Sequence, residues 1–215
     1  LQRAGDEAPN YNNVPYNALP IKIEMIVTDY YLDKKINVSG SVNENKYLQI
    51  TASNDLQDSN RAIATIHRAV NNTDLFEIAA NGTCVNFYNI VLDGNKNFFT
   101  GGSLIHLNGG NSYCAIGEIP AKLGASETSD SNSSSYTALC NNANDHFFPE
   151  SSGGAIRVDN GNGPGGDMNF MMYSGYIYGN EADTGGGICV NAGNFRFFGG
   201  SIFDNYAYGQ GGGVY

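Results

Sequence analysis

Short apolar runs, most of them alternating with polar residues, recur along the chain between Gly- and Asn-rich turns. Ile21 to Val27 alternates and then runs apolar, as a strand entering a core does. Ile36-Asn37-Val38 and Leu48-Gln49-Ile50 alternate in the same way, with Gly40 and Asn43 as turn residues between them. Residues 55–70 fit two readings. Leu56, Ile63, Ile66 and Val70 have helical spacing, whereas Ala64 to Arg68 reads as a strand. The strand is preferred because a β rhythm continues through Leu75–Ile78, Cys84–Phe87 and Ile90–Leu92. Residues 1–20 are polar and hold Pro9 and Pro15, which suits an extended lead-in or a cap.

The rhythm is a repeat. Gly153-Gly154-Ala155-Ile156 followed by Ile177-Tyr178-Gly179-Asn180 is nearly copied by Gly186-Gly187-Ile188 followed by Ile202-Phe203-Asp204-Asn205. Gly211-Gly212-Gly213-Val214-Tyr215 begins a third copy. Leu92-Asp93-Gly94-Asn95 and Gly102-Ser103-Leu104-Ile105 place earlier copies upstream. The spacings fall in the window of roughly 20–50 residues that marks a solenoid. A strand of four to six residues cannot bury its face alone, but stacked coils, about 4.8 Å apart, pair like with like. The alignment predicts three ladders: Phe76, Ile105, Ile156, Ile188 and Val214; Phe87, Met172 and Phe197; and Leu92, Ile177 and Ile202. Val85, Phe170 and Phe195 repeat two residues before the second. Asn95, Asn180 and Asn205 suit buried turns in which each amide bonds to its copy above and below. The expectation is an all-β, right-handed parallel β-helix of about six coils over residues 21–215, the hand following the crossover rule. Residues 111–150 are expected to be an insertion, since 124–135 is rich in Ser, Asp and Gly and has no strand pattern.

Composition narrows the function. Hydrophobic residues make up 41%, enough for a core, while charged residues are only 15%, below the usual quarter. The net charge of −10 disfavours nucleic acid, which needs clustered Lys and Arg, and gives no basic patch for an anionic membrane. No run of about 18 apolar residues predicts a transmembrane helix. A chain low in Lys and rich in Asn, Ser, Gly and Tyr suits an extracellular setting, and a start at Leu1 reads as a processed product or a segment. Sequons at Asn37, Asn71, Asn81 and Asn132 are candidate glycosylation sites. None of the four cysteines has CxxC spacing, so zinc is not expected. Cys114 and Cys140 bracket the insertion, making a disulfide between them the economical pairing. Cys84 and Cys189 are then free, or a second pair if neighbouring coils bring them together.

Two kinds of chemistry are candidates. A polysaccharide lyase needs clustered Asp ligands for Ca²⁺ and a basic residue to take the proton. Asp93, Asp159, Asp183 and Asp204 with Arg157 or Arg196 are the groups available, and Arg157 and Asp159 share a strand face. Against this stands their role as solvated residues of a sparsely charged coil. His67, His106 and His146 form no HxH or HExxH pattern; there is no GxSxG elbow and no P-loop Lys, so no cofactor or metal is expected. The second candidate is aromatic. With Ile177 facing in, Tyr176 and Tyr178 face out; together with Tyr173, Tyr206 and Tyr208 they suit a sugar or a protein surface. At Val214 and Tyr215 a strand edge is expected to pair, either with further coils or with another subunit stacked head to tail.

The Gly-Gly-Ala-Ile at 153–156 and Ile-Phe-Asp-Asn at 202–205 resemble the GGAI and FxxN repeats of the chlamydial polymorphic membrane proteins. They are also similar to repeats of adhesin-like and pectate-lyase-like surface proteins. The resemblance covers about residues 76–110 and 151–215, with Ile177 and Ile202 where that family has Phe. It implies a right-handed β-helix displayed outside the cell and used in adhesion. Taken together, the expected function is a non-catalytic extracellular adhesin or fibre-forming β-helix that binds a glycan, a cell-surface receptor or its own copies. The alternative is a carbohydrate-active β-helix.

Overall fold

The computed structural model describes residues 21–39, 46–53, 63–79, 83–109, 112–119, 136–144, 151–159 and 170–215. The expected lead-in at 1–20 lies outside them. Strands follow one another in coils. The first coil is β1 (Ile21–Met25), β2 (Asp29–Leu32) and β3 (Ile36–Val38); the second is β4 (Lys46–Ala52), β5 (Ala64–Arg68) and β6 (Phe76–Ile78). The third is β7 (Thr83–Tyr88), β8 (Ile90–Asp93) and β9 (Ile105–Leu107); the fourth is β10 (Tyr113–Ile116), β11 (Ala138–Cys140) and β12 (Ile156–Asp159). The fifth holds β13 (Phe170–Met172), β14 (Tyr176–Tyr178), β15 (Glu181–Thr184) and β16 (Ile188–Ala192); the sixth holds β17 (Phe195–Phe197), β18 (Ser201–Phe203) and β19 (Tyr206–Gln210).

Through β14 every third strand joins the same sheet, and the additional strand β15 then shifts the count by one. Face 1 has the order β1-β4-β7-β10-β13-β17, face 2 has β2-β5-β8-β11-β14-β18, and face 3 has β3-β6-β9-β12-β16. A short fourth sheet pairs β15 with β19 at the corner between faces 2 and 3. All the pairings are parallel, so the described residues form a parallel β-helix of six coils. Among the described residues there is no helix, and so none long and apolar enough to cross a membrane. Ala64–Arg68 is a strand, as the β rhythm requires.

The period of two decides what is buried. On face 3, Phe76, Ile105, Ile156 and Ile188 stand in register, and Val214 bridges to Ile188. On face 1, Phe87 pairs Ile116, Met172 and Phe197 through successive coils. On face 2, Leu92, Leu139, Ile177 and Ile202 do the same. These columns meet in one core cluster, except that Phe197 and Val214 at the last coil are 53% and 42% exposed; each fully buried aliphatic side chain contributes about 1.5–3 kcal/mol. The expected insertion at 111–150 contains two strands of this stack. β10 and β11 supply Ile116 and Leu139 to the core, and residues 120–135 between them lie outside the described residues.

The turns hold a polar ladder inside the corner between faces 2 and 3. Asn142 N donates to Asn180 Oδ1 at 3.1 Å, and Asn180 N and Nδ2 donate to Asn205 Oδ1 at 3.1 and 2.9 Å. Asn180 and Asn205 take the places their sequence suggests, but Asn95 does not. Gly94 lies over Asn142, where a Cβ would meet Asn142 Cα at 2.3 Å, and Asn95 turns left-handed at φ 51° to bond Arg68 O instead. The ladder ends on Arg68, whose Nε donates to Asn142 Oδ1 at 3.1 Å. The Arg68 guanidinium also donates to the carbonyls of Thr73, Gly101, Gly102 and Ser103 and is fully buried. Gly153 and Gly185 open the repeated Gly corner with φ of 71° and 63°, which an L side chain adopts only at a cost.

Candidate functional site

Two outward surfaces gather the chemistry of the chain. The first is polar and lies on face 3, where the outward column reads Asn37, Glu77, His106, Arg157 and Cys189 from coil to coil. His106 is its centre. Its Nδ1 lies 2.9 Å from Asp74 Oδ2, on the turn before β6, and its Nε2 lies 2.9 Å from Asp159 Oδ2 on β12. Arg157 Nε is 2.6 Å from the same Asp159 oxygen. A register shift between Val158 and Asp159 makes Asn191 an extra residue in β16, and such a bulge re-aims a side chain. Asn191 Nδ2 thereby donates to Asp159 Oδ1 at 2.7 Å, and its own Oδ1 receives the Cys189 thiol at 3.3 Å. One coil back, Lys35 pairs with Glu77, which also accepts from Asn108 Nδ2 at 3.2 Å.

The charges in this cluster are settled by one another. Burial works against the His106 imidazolium, but hydrogen bonds and charge from Asp74, then Asp159, outweigh it and raise its pKa above the ordinary value. Burial likewise opposes ionisation of Asp74, yet His106, the Ser103 N–H and the Arg68 charge hold its pKa below the usual carboxylate value. Glu77 is held low chiefly by its hydrogen bond from Lys35.

The second surface is aromatic and lies on the late coils of face 2. Tyr136 and Tyr176 have ring centroids 5.2 Å apart; Tyr178 and Phe203 stack at 5.2 Å and 8°. Phe203 meets Tyr176 edge-on at 6.4 Å, and Tyr206 and Tyr208 form a T-shaped pair at 5.0 Å on β19. Tyr176, Phe203, Tyr206 and Tyr208 are 39%, 42%, 56% and 54% exposed. Tyr173 is on face 1 instead, stacked on Phe198 at 4.8 Å and 5°. In the outward column of face 2, Cys140 lies between Asp93 and Tyr178. Burial, with Cys140 and Tyr136 beside it, raises the Tyr178 pKa.

The residues singled out for lyase chemistry do not converge as a set. Arg157 and Asp159 meet as their shared strand face implies, with His106 and Asp74 added. Asp93 is on face 2, where it takes a hydrogen bond from the Asn95 N–H at 2.9 Å and faces His67 Nδ1 at 3.1 Å. Asp204 is a left-handed turn residue after β18, with φ 52°. Among the described residues no three His, Cys, Asp or Glu side chains are placed to hold a metal ion. His106 was within reach of the sequence, since aligning Ile105 with Ile156 sets it against Arg157. Asp74 and Asn191 were not, because one sits in a turn and the other on a bulge.

The expected Cys114–Cys140 disulfide is not formed, nor is a Cys84–Cys189 bond: all four thiols are free and buried. Cys114 points into the core from face 1, between Val85 and Phe170, while Cys140 follows inward Leu139 on face 2. Cys84 and Cys189 belong to different faces and coils. Burial pushes the Cys84 thiol up to about 12 and Cys140 to about 11, and raises Cys114 and Cys189 as well. Of the sequons, Asn37 and Asn71 are exposed; Asn71 Oδ1 accepts the Thr100 N–H at 2.9 Å. Asn81 and Asn132 lie outside the described residues, as does His146. Val214 and Tyr215 form an exposed edge, where Tyr215 N bonds Ile188 O at 2.9 Å and Tyr215 O receives the Val190 N–H at 2.9 Å. No protein-family model, curated protein or solved structure matches the chain.

Proposed function

We propose that the chain is a non-catalytic β-helix of the extracellular surface, an adhesin-type scaffold that binds through the aromatic strip of its last three coils. The observation that carries this is the strip itself: Tyr136, Tyr176, Tyr178 and Phe203 on face 2, continued by Tyr206 and Tyr208 on β19. The parallel stack beneath holds the rings rigid, so little side-chain entropy is lost on binding. Tyr178 and Phe203 use their faces on each other, which favours a protein receptor or a glycan meeting ring edges and hydroxyls. The low charge of the chain suits an extracellular setting. The test is binding of the purified chain to a glycan array and to cultured cells, with Tyr206→Ser/Tyr208→Ser and Tyr176→Ser variants checked for unchanged melting. At least a tenfold loss of binding in the variants is expected; binding unchanged by them would refute the assignment.

A fibre-forming role, the other form of the same non-catalytic reading, would rest on the columns. Among the described residues one outward column runs from Tyr31 on β2 to Phe203 on β18, and one inward column from Ile36 to Val214. A second copy stacked head to tail would continue both. Sedimentation of this chain should show concentration-dependent association that Phe203→Asp abolishes; a monomer at all concentrations would rule it out. A carbohydrate-active reading draws on the meeting of Arg157, Asp159, His106 and Asp74. It predicts new reducing or unsaturated ends on acidic polysaccharides, lost in Arg157→Ala.

A further inference from the structure

His106 is not the only histidine held in this way. On face 2, His67 Nδ1 lies 3.1 Å from Asp93 Oδ2 and its Nε2 lies 2.9 Å from Asp29 Oδ1. Each imidazole thus has a carboxylate from the coil before it on one nitrogen and a carboxylate from the coil after it on the other. Asp29, His67 and Asp93 join coils one, two and three; Asp74, His106 and Asp159 join coils two, three and four. A carboxylate accepts and does not donate, so both nitrogens of His106 must carry protons for both of its bonds to exist. A neutral ring would turn one lone pair toward an anion.

We propose that the Asp74–His106–Asp159 clamp is a proton-loaded fastening that ties coils two, three and four together and loosens as the pH rises, with Asp29–His67–Asp93 its geometric counterpart on face 2. All the charged groups around them bear on it. Around His106 stand Asp74 from the turn before β6, Glu77 with its Lys35 partner, Arg157 and Asp159 on β12, and the Cys189 thiol on β16; Arg68 lies behind Asp74. Around His67 stand Asp29 and Tyr31 on β2, Asp93 on β8 and, beyond it, Cys140 on β11. Arg157 shares Asp159 with His106 and keeps that carboxylate paired when the ring loses its proton, whereas Asp74 loses its closest cation. The weak point of the alkaline state is therefore the join between coils two and three.

The direction is fixed by linkage. The His106 pKa is raised on folding, so its contribution is whole below about pH 6.5, its ordinary value, and is lost as pH climbs through the folded value. The Asp74 pKa is lowered, so its contribution is present above about pH 4 and is lost below that as pH falls through the folded value. The fastening is tightest between these limits.

The experiment follows the urea unfolding of the wild-type chain and of a His106→Gln variant from pH 6 to pH 9. It adds hydrogen exchange of residues 76–78 and 105–107. Gln keeps a donor and does not titrate. The wild-type unfolding constant should rise about tenfold for each pH unit by which the His106 pKa is raised, and exchange at those strands should quicken with pH beyond the intrinsic rate. The variant should show neither change. A flat wild-type profile, or the same slope in the variant, overturns the proposal. If the variant does not fold, proton NMR titration of the wild-type imidazoles decides: His106 titrating at or below about pH 6.5 overturns it, and a higher midpoint supports it.

Discussion

Asn180→Ala tests whether the amide ladder holds the late coils together. Asn180 is fully buried. Its Oδ1 accepts the Asn142 N–H at 3.1 Å, and its Nδ2 donates to Leu139 O at 3.1 Å, Tyr178 O at 3.0 Å and Asn205 Oδ1 at 2.9 Å. Truncation leaves the Asn142 N–H facing a void, and a buried donor without a partner costs about 1–3 kcal/mol. The acceptors suffer less, since Tyr178 O also receives the Asn141 N–H and Asn205 Oδ1 keeps the Asn180 N–H. Each of those lost bonds costs at the low end of about 0.5–1.5 kcal/mol. The total is about 3 kcal/mol, large for one polar truncation. Asn205→Ala, at the half-exposed end of the same ladder, lets water replace the amide and costs about 1 kcal/mol. Urea denaturation followed by far-ultraviolet circular dichroism measures both. Because stacked repeats can open locally, hydrogen exchange at residues 138–140 and 176–178 should accompany it. A loss below about 1 kcal/mol for Asn180→Ala, or equal losses for the two variants, would show that the ladder is an ornament of the turn and not its fastening.

Three further outcomes are expected. Arg68→Met removes donors to four carbonyls and to Asn142 and leaves Asp74 without its rear cation; melting should fall by about 10 °C, and Arg68→Lys should restore little because the planar fork is lost. Thiol reagent at pH 8 should leave the folded chain unmodified and label all four cysteines once it is unfolded, while a native mass lower by the hydrogens of a disulfide would contradict the free thiols. Gly102→Ala sets a Cβ 2.2 Å from the Thr73 carbonyl carbon at φ +75° and should destabilise by more than about 2 kcal/mol in the same urea assay.

The inward columns were legible because burial imposes a two-residue period and stacking imposes likeness. Ile105, Ile156 and Ile188 could be aligned from the sequence and stand in register. The fourth coil was hidden because its strands are short and widely separated. β10 offers Cys114, Ala115 and Ile116, β11 only Ala138, Leu139 and Cys140, and nothing in so few residues announces a period. Proximity to the Ser-rich stretch then made Cys114 and Cys140 look like the ends of a closed loop. Alternation points the other way: Cys114 shares the inward phase of Ile116, and Cys140 is out of phase with Leu139, so the two thiols face different sides of different sheets. Asn95 was misplaced for a local reason, since Gly94 occupies the ladder column and passes the amide one residue on. The polar cluster was half visible. His106 and Arg157 follow from strand register, but Asp74 reaches them from a turn whose geometry no periodic rule describes.

Whereas the interior repeats, the outward columns change character along the stack, and this separates fastening from display. On face 2 the column runs Tyr31, His67, Asp93, Cys140, Tyr178 and Phe203. Its first half is joined by a histidine between carboxylates and its second half by stacked rings. The inner and outer aromatic stacks Phe170–Phe195 and Tyr173–Phe198 join the same late coils on face 1. Ring stacking and apolar burial do not titrate, whereas the His106 clamp on face 3 does. A rise in pH therefore acts on coils two to four and leaves coils five and six, which carry most of the aromatic strip, as they were. If the aromatic strip is the binding surface, affinity should stay constant between pH 6 and pH 9 while exchange at the early coils quickens. A binding curve that tracked the loosening of the early coils would place the contact on the charged end of the stack instead.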